Sequence, residues 1–567
     1  MDRGSWKFLN AFLVVVSALH PYFCHAEKAP NYSFVREATT APQVSYHAYI
    51  VVGGGTAGCP LAATLSEKAN VLVLERGGSP YLKPDRTDKV NFLSGLYDSS
   101  PDSYAQQFNS TDGVFSHRAR VLGGGSVINA GFYSYADPEF IKEVGFDEAL
   151  VRDSYQWVEQ KLAFEAPLLL WQSAVRAGLL QAGVTPDNRF TYDHIKGTKT
   201  GATIFDKNDH RHSAADLLEY ADPTNIKVYL HATVLSIIFT TEDKPGQPSR
   251  PKATGVIYED ASGVTHKALL TKDPMSEVIV SMGAIGSPQL LMLSGIGPAN
   301  KLKALGIQVL VDLPMVGQNL ADNAMNGVSV PSPLPVEVSL LSTVGITQYG
   351  NYIEAWSGLN LPPLGEMLRF LPPLLNQVFN IAKIKVGSTT QQKLQGGAII
   401  QKAGRPRSKG NLELKSTNPK ETPKVTFNYF KDPEDLKQCV RGMETVLKVV
   451  DSSPFSRFRY PAISTQLLLQ LTVALPTNLR SRSMGTVSSM EKFCNDTVMT
   501  FWHYHGSCEV GKVVDKDYRV VGVDGLRVID ASTFHVTPGT NPQATVMMLG
   551  RYMGVRILKD RPAKGRR

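Results

Sequence analysis

A chain of 567 residues with 43% hydrophobic and 19% charged residues is globular in composition, and it is long enough for two sizeable cores. The formal charge of +8 is modest for this length, and part of it sits in the tail from Lys559 to Arg567. No basic patch interleaved with aromatics accompanies that charge, which argues against nucleic acid as a partner, and no CxxC or CxxH cluster suggests a metal.

The chain starts with basic Arg3 and Lys7, an apolar run from Phe8 to Leu19 and the small-residue stretch Cys24-His25-Ala26. That order predicts a secretory signal over residues 1–26 with Glu27 as the mature start. The run is shorter than the roughly 20 residues that span a bilayer, and no later segment qualifies as a spanning helix. Three acceptor triplets fit an extracellular location: Asn31-Tyr32-Ser33, Asn109-Ser110-Thr111 and Asn495-Asp496-Thr497. Four cysteines then remain, and an oxidising compartment permits disulfides. Cys59 reads as a small buried residue behind a glycine loop. Cys439 and Cys494 are the candidate pair, although spacing alone does not establish connectivity.

Tyr49-Ile50-Val51-Val52 is the apolar, β-branched run of a buried parallel strand. It leads into Gly53-Gly54-Gly55-Thr56-Ala57-Gly58, then a helix start at Pro60 and a second strand, Asn70 to Leu74, ending at Glu75. Gly53 serves the tight turn, Gly55 lets backbone approach a pyrophosphate, and Gly58 lets helix and strand pack closely. The helix start offers free N–H groups to the anion, and Glu75 can accept from ribose hydroxyls. A second glycine loop follows in Arg118 to Phe132, too glycine-dense for a helix or strand interior. It can lay backbone against an extended cofactor, with Ser126 and Asn129 as side-chain donors. The C-terminal part supplies Phe501-Trp502-His503-Tyr504-His505-Gly506, then Asp530, then Pro538-Gly539-Thr540-Asn541-Pro542-Gln543. A histidine and an asparagine thus sit in two turn-rich loops, the setting in which chemistry is often placed.

These motifs resemble the glucose–methanol–choline (GMC) oxidoreductase family. Ala119 to Phe132 and Gly283 to Gly297 look like its two signatures, and the block around Asp530 and Pro542-Gln543 is similar as well. The chain is most similar to the plant branch that contains HOTHEAD-type proteins and mandelonitrile lyases. The resemblance implies an α/β fold, with a Rossmann-like FAD-binding domain interleaved with an antiparallel-sheet substrate domain. The FAD domain would take residues 46–135, 197–298 and 497–567, and the substrate domain 136–196 and 299–496.

FAD is the implied cofactor. The positions that would hold it are Gly53, Gly55, Thr56, Ala57, Gly58, Glu75 and Arg76 at the first loop and second strand. At the second loop they are Val121, Gly125, Ser126, Asn129, Ala130, Gly131 and Phe132. Val234 would meet the adenine, while Trp502, Asp530, Ala531, Pro542 and Gln543 would flank the flavin. His503, placed three residues before Gly506, is the implied proton acceptor, with Asn541 as its partner on the substrate oxygen. His505 reads as a supporting residue, and His210 and His212 as part of a capped helix start. The lyases carry a second histidine at the place of Asn541 and a tyrosine at that of Phe501, so the resemblance favours alcohol oxidation over cyanohydrin cleavage. The branch's disulfide matches Cys439–Cys494. The proline-framed stretch Leu359 to Leu375 reads as core or as an apolar lid over the site, and the substrate that the resemblance implies is an apolar alcohol such as a long-chain ω-hydroxy fatty acid.

Overall fold

The run Tyr49–Val52 forms a strand with all four side chains buried, as does Val71–Leu74. Burial on both faces, with β-branched residues at most positions, places them inside a parallel sheet. The computed structural model describes residues 30–83, 86–242, 250–358, 396–475, 477–482 and 487–561. The proposed signal segment and the Leu359–Leu375 stretch lie outside the described residues.

The parallel sheet has six strands in the order Val35–Glu37, Ile226–Leu230, Val71–Leu74, Tyr49–Val52, Glu277–Val280 and Leu526–Val528. Strands drawn from four distant stretches of chain thus stand side by side. Gly58–Ser66 and Gln543–Asp560 are helices that pack on each other. Gly550 and Gly554, one turn apart, let them approach closely: a Cβ on Gly554 would come within 2.7 Å of Thr64 Cβ. A four-stranded sheet shares a core with the parallel sheet, with Ile237 and Val256 buried alongside Ile50, Leu72 and Val278.

A second large sheet has seven strands in the order Met499–Thr500, Ala324–Pro331, Gly396–Ala403, Asn351–Ser357, Thr343–Ile346, Gly197–Thr200 and Asp187–Phe190. Its neighbours are antiparallel except the last pair. Side chains alternate across its two faces. Ile353, Ala355 and Ile399 enter a core built with the helices Leu170–Gln181, Pro433–Val450 and Thr465–Ala474. Tyr352, Glu354 and Trp356 on one strand, and Ile400 and Lys402 on the next, have the opposite parity. Register puts Tyr352 beside Lys402 and Glu354 beside Ile400.

Cys439 and Cys494 form a disulfide joining the helices Pro433–Val450 and Met490–Thr497. Cys59 is a buried free thiol, as its sequence setting implies. Residues Ala214–Tyr220 form a 3₁₀ helix under a Ser213–Asp216 capping box, matching the expected capped start after His212. Among the described residues no helix is long and apolar enough to cross a membrane, and no cluster of ligating side chains could hold a metal.

Candidate active site

The parallel sheet and the seven-stranded sheet both contribute to one cavity of about 340 Å³, within the usual range for ligand sites. Every expected cofactor and catalytic position lines it except Gly58. Gly58 instead packs its Cα against the Gly53 carbonyl, the close helix–strand approach that a side chain would block.

The two glycine loops touch. A Cβ on Gly124 would lie 2.8 Å from Gly55 Cα and 3.0 Å from Thr56 N, and Gly124 has a positive φ of 60°. Glu75 turns back on the first loop, one oxygen accepting from Gly54 N (3.1 Å) and the other from Gly77 N (2.8 Å). Burial raises its carboxyl pKa, and these two N–H groups oppose the rise. Arg76 donates to Gln106 Oε1 and to the Ala119 carbonyl, tying the strand end to the second loop. Ser126 is engaged within the protein: its hydroxyl donates to the Gly123 carbonyl (2.7 Å) and accepts from Ala214 N (2.9 Å). Asn129 donates to Gln543 Oε1 (2.8 Å), and Gln543 in turn donates to the Phe132 carbonyl (2.7 Å). Asp530 accepts from Gly283 N, Ser287 Oγ and Ser532 N, which fixes the turn before Ala531.

Helix starts in this fold differ in how their first N–H groups are satisfied. Helices starting at Pro138, Glu148, Pro433, Thr465 and Met490 are each capped by an Asp or Ser side chain. The helices Gly58–Ser66 and Gln543–Asp560 have no side-chain cap, and both begin at the cavity wall. Their N–H groups and positive dipole ends are left for a ligand. Glycine loops in contact, two uncapped helix starts and an acid at the second strand's end suit an FAD-type dinucleotide.

At the other end of the cavity, the loop Phe501–His505 is stitched to residues 321–323. Phe501 N donates to the Asn323 carbonyl, and His505 and Ala321 exchange backbone hydrogen bonds. The buried Asp322 carboxylate sits inside this loop, accepting from His503 N (2.8 Å), Thr500 Oγ1 (2.6 Å) and Tyr429 Oη (2.6 Å). Its pKa is pushed up to about 6 by burial. Trp502 is held at a positive φ of 58°, uncommon for a bulky residue, and its indole donates to His117 Nδ1 (3.2 Å). Strain of this kind clusters at functional sites.

His503 points Nδ1 at Lys402 Nζ (3.1 Å), and Lys402 also reaches Asn541 Oδ1 (3.0 Å). Asn541 Nδ2 donates to Glu354 Oε1 (2.9 Å). The result is a buried chain, His503–Lys402–Asn541–Glu354. Lys402 lies over the rings of Tyr352 (4.8 Å) and Phe501 (4.7 Å). Desolvation brings its pKa down to about 7 and raises that of Glu354 to about 7, while His503 is held well below the imidazole range, chiefly by burial. His505 supports the loop by pairing Nδ1 with the His503 carbonyl (3.0 Å). His535 lies apart, half-exposed beside Glu143.

Lys402, Glu354 and Asp322 are absent from the sequence-based expectations. Lys402 and Glu354 are interior residues of two strands whose pairing brings them to the site, and no motif flags either one. Asp322 sits far from His503 in sequence, and only the antiparallel contact of its segment with the loop reveals it.

Fold and cavity together define a flavin-dinucleotide-binding oxidoreductase. The GMC oxidoreductase family matches residues 47–325 with its N-terminal part and 406–550 with its C-terminal part. Over most of its length the chain is similar to Protein HOTHEAD of Arabidopsis thaliana, at 48% identity over 96% of this chain and 94% of that protein. An (R)-mandelonitrile lyase-like protein of the same plant is 45% identical over 93% and 92%. Sinalpyl alcohol oxidase Nec3 of Nesocodon mauritianus is 41% identical over 93% and 91%. Among solved structures, the formate oxidase of Aspergillus oryzae RIB40 shares the fold, with a TM-score of 0.69 at 19% identity over 92% of this chain and 99% of that one. The chain belongs to the GMC oxidoreductase family and is an FAD-dependent enzyme.

Proposed function

We propose that this enzyme oxidises an apolar alcohol, of the kind a long-chain ω-hydroxy fatty acid represents, and that it does so outside the cell. The observation that carries the reading is the composition of the site's substrate end. Among the described residues, His503 and Asn541 line the cavity together with the apolar Met325, Trp356, Ile400 and Phe501. Such a wall suits an apolar chain, and a single imidazole suits removal of one hydroxyl proton.

Bound FAD supplies the acceptor for the hydride that leaves the alcohol carbon. His503 takes the hydroxyl proton on Nε2, the nitrogen not committed to Lys402. Asn541 keeps one amide N–H beyond the bond to Glu354, and this N–H holds the substrate oxygen in line. The first-loop residues Gly53 to Ala57, with Glu75 and Arg76, would hold the pyrophosphate and ribose, and the second loop would hold the flavin end. The uncapped helix start at Gln543 would offer positive potential to the bound cofactor. Secretion rests on the N-terminal segment and the three acceptor triplets, with the disulfide as a compatible feature.

The lyase-like relative makes cyanohydrin cleavage the competing reading. Anaerobic mixing of the purified flavoprotein with ω-hydroxy fatty acids, aryl alcohols and mandelonitrile separates the two. Flavin bleaching by the alcohols is the expected result, strongest with long apolar chains. Benzaldehyde release from mandelonitrile with no bleaching by any alcohol would overturn it.

A further inference from the structure

Lys402 is the least expected group in the protein: a lysine buried in the strand Gly396–Ala403, with its Nζ hydrogen-bonded to both His503 and Asn541. It has no place in the cavity wall itself, so it acts through its neighbours. Among the described residues no carboxylate oxygen pairs with its Nζ. The nearest acid in the hydrogen-bonded chain, Glu354, is reached only through the Asn541 amide.

The hydrogen bonds of that chain couple the charge of Lys402 to the tautomer of His503. If Lys402 is an ammonium, its nitrogen has three N–H donors and no lone pair, so His503 Nδ1 must accept. A neutral imidazole then carries its proton on Nε2, toward the substrate, and cannot act as a base there. If Lys402 is an uncharged amine, its lone pair accepts from His503 Nδ1–H while one N–H still donates to Asn541 Oδ1. Nε2 then presents a lone pair to the cavity. Only the second arrangement allows His503 to take a hydroxyl proton.

We propose that Lys402 is a positioning residue that stands uncharged in the resting enzyme, selects the basic tautomer of His503, and receives the Nδ1 proton as Nε2 gains one from the alcohol. The proposal rests on the alcohol-oxidation reading above. The balance is complete: the O–H proton moves to His503 Nε2, the Nδ1 proton moves to Lys402 Nζ, and the alcohol carbon loses a hydride to FAD. The carbonyl product leaves His503 neutral and Lys402 an ammonium. Two ring faces, Tyr352 and Phe501, stand ready to stabilise that ammonium.

The surroundings favour an amine that changes charge near neutrality. Burial lowers the Lys402 pKa to about 7, opposed by the charges of Glu354 and Asp322. The groups that face it are Glu354 and Tyr352 from the adjacent strand, Asp322 before the strand Ala324–Pro331, Phe501 and His503 from the catalytic loop, and Asn541 from the C-terminal turn. His194, stacked on Tyr352, senses its charge. A lysine deprotonates readily when desolvated, whereas an arginine does not.

The test uses the FAD-loaded, full-length enzyme and two kinds of measurement. With ¹⁵N-labelled histidine, the His503 resonance is assigned by its loss in His503→Gln. The expected result is an Nδ1–H tautomer above about pH 8 that converts to Nε2–H below about pH 6, the change centred on the pKa of Lys402 near 7. In Lys402→Met no such conversion occurs. In rapid-mixing experiments, Lys402→Met and Lys402→Arg both bleach the flavin on the order of 10²-fold more slowly at high pH. KM changes little, and the neutral inflection is lost. Lys402→Cys alkylated to the thia-lysine restores rate and inflection, the latter moved to lower pH because its amine is less basic. An Nε2–H tautomer at every pH, or a Lys402→Arg enzyme with wild-type rate and inflection, would overturn the proposal. The tautomer measurement needs no substrate. If no alcohol bleaches the flavin, the oxidation reading fails while the lysine–histidine coupling is still decided by the spectrum.

Discussion

Replacing Asp322 with Ala should damage stability and activity together, for reasons that can be counted. The carboxylate accepts three hydrogen bonds, from His503 N at 2.8 Å and from the Thr500 and Tyr429 hydroxyls at 2.6 Å each. Removing it leaves buried donors without a partner, at about 1–3 kcal/mol each. The Thr500 hydroxyl keeps a long contact to Tyr504 Oη at 3.5 Å, so two donors bear most of the loss. Removal of a poorly solvated carboxylate returns part of the cost, which leaves a net destabilisation of about 2–4 kcal/mol. The same bonds hold His503 after the strained Trp502, so its imidazole should drift, and a shift of about 1 Å can slow a reaction on the order of 10²-fold. Asp322→Asn keeps one acceptor oxygen and should lose roughly half as much. Denaturant unfolding of the FAD-loaded proteins reads the first effect, and the limiting rate of flavin bleaching reads the second. An Asp322→Ala enzyme within about 0.5 kcal/mol of wild type, with an unchanged bleaching rate, would refute this account of the loop.

Three further outcomes are expected. Cys494→Ser opens a cross-link between residues 55 apart, which in the chain-entropy treatment is worth about 4 kcal/mol, read as a lower denaturant midpoint. Gly124→Ala places a Cβ 2.8 Å from Gly55 Cα at a positive φ, and should purify with little flavin, seen in the flavin-to-protein absorbance ratio. Lys402→Met should stabilise the fold by about 1–4 kcal/mol at acidic pH. The lysine's pKa is depressed from 10.5 to about 7 on folding, so the stability it costs is absent above 10.5, grows as pH falls and is complete below 7. The variant's gain in melting temperature should therefore shrink from pH 6 towards pH 10, and a gain that grows with pH would contradict the assignment.

The parts of this fold written in local chemistry were legible from the sequence. The run Tyr49–Val52, the glycine loop and the helix Gly58–Ser66 behind it obey rules of periodicity, turn geometry and helix termini that operate within a dozen residues. His503 and Asn541 were found because a family resemblance marks them. What stayed hidden was set by pairing between strands. Glu354 and Lys402 lie on neighbouring strands, and their placement on the site face depends on register, in which one residue's slip would turn both side chains to the helices. A buried lysine also contradicts the usual reading of lysine as a surface residue, so pattern alone steers away from it. Ser126 illustrates the converse. Its hydroxyl, expected to serve the cofactor, donates to the Gly123 carbonyl of its own loop and accepts from Ala214 N at the start of the 3₁₀ helix.

In the proposed reaction an alcohol gives its proton to His503 while its carbon reduces the flavin. Anaerobic flavin bleaching by an ω-hydroxy fatty acid, compared between wild type and His503→Ala, tests it most directly. Rapid bleaching is expected in the wild type, with a rate on the order of 10²–10⁴-fold lower in the variant and FAD still bound. Equal rates in the two proteins, or a wild-type flavin that no alcohol bleaches, would contradict it.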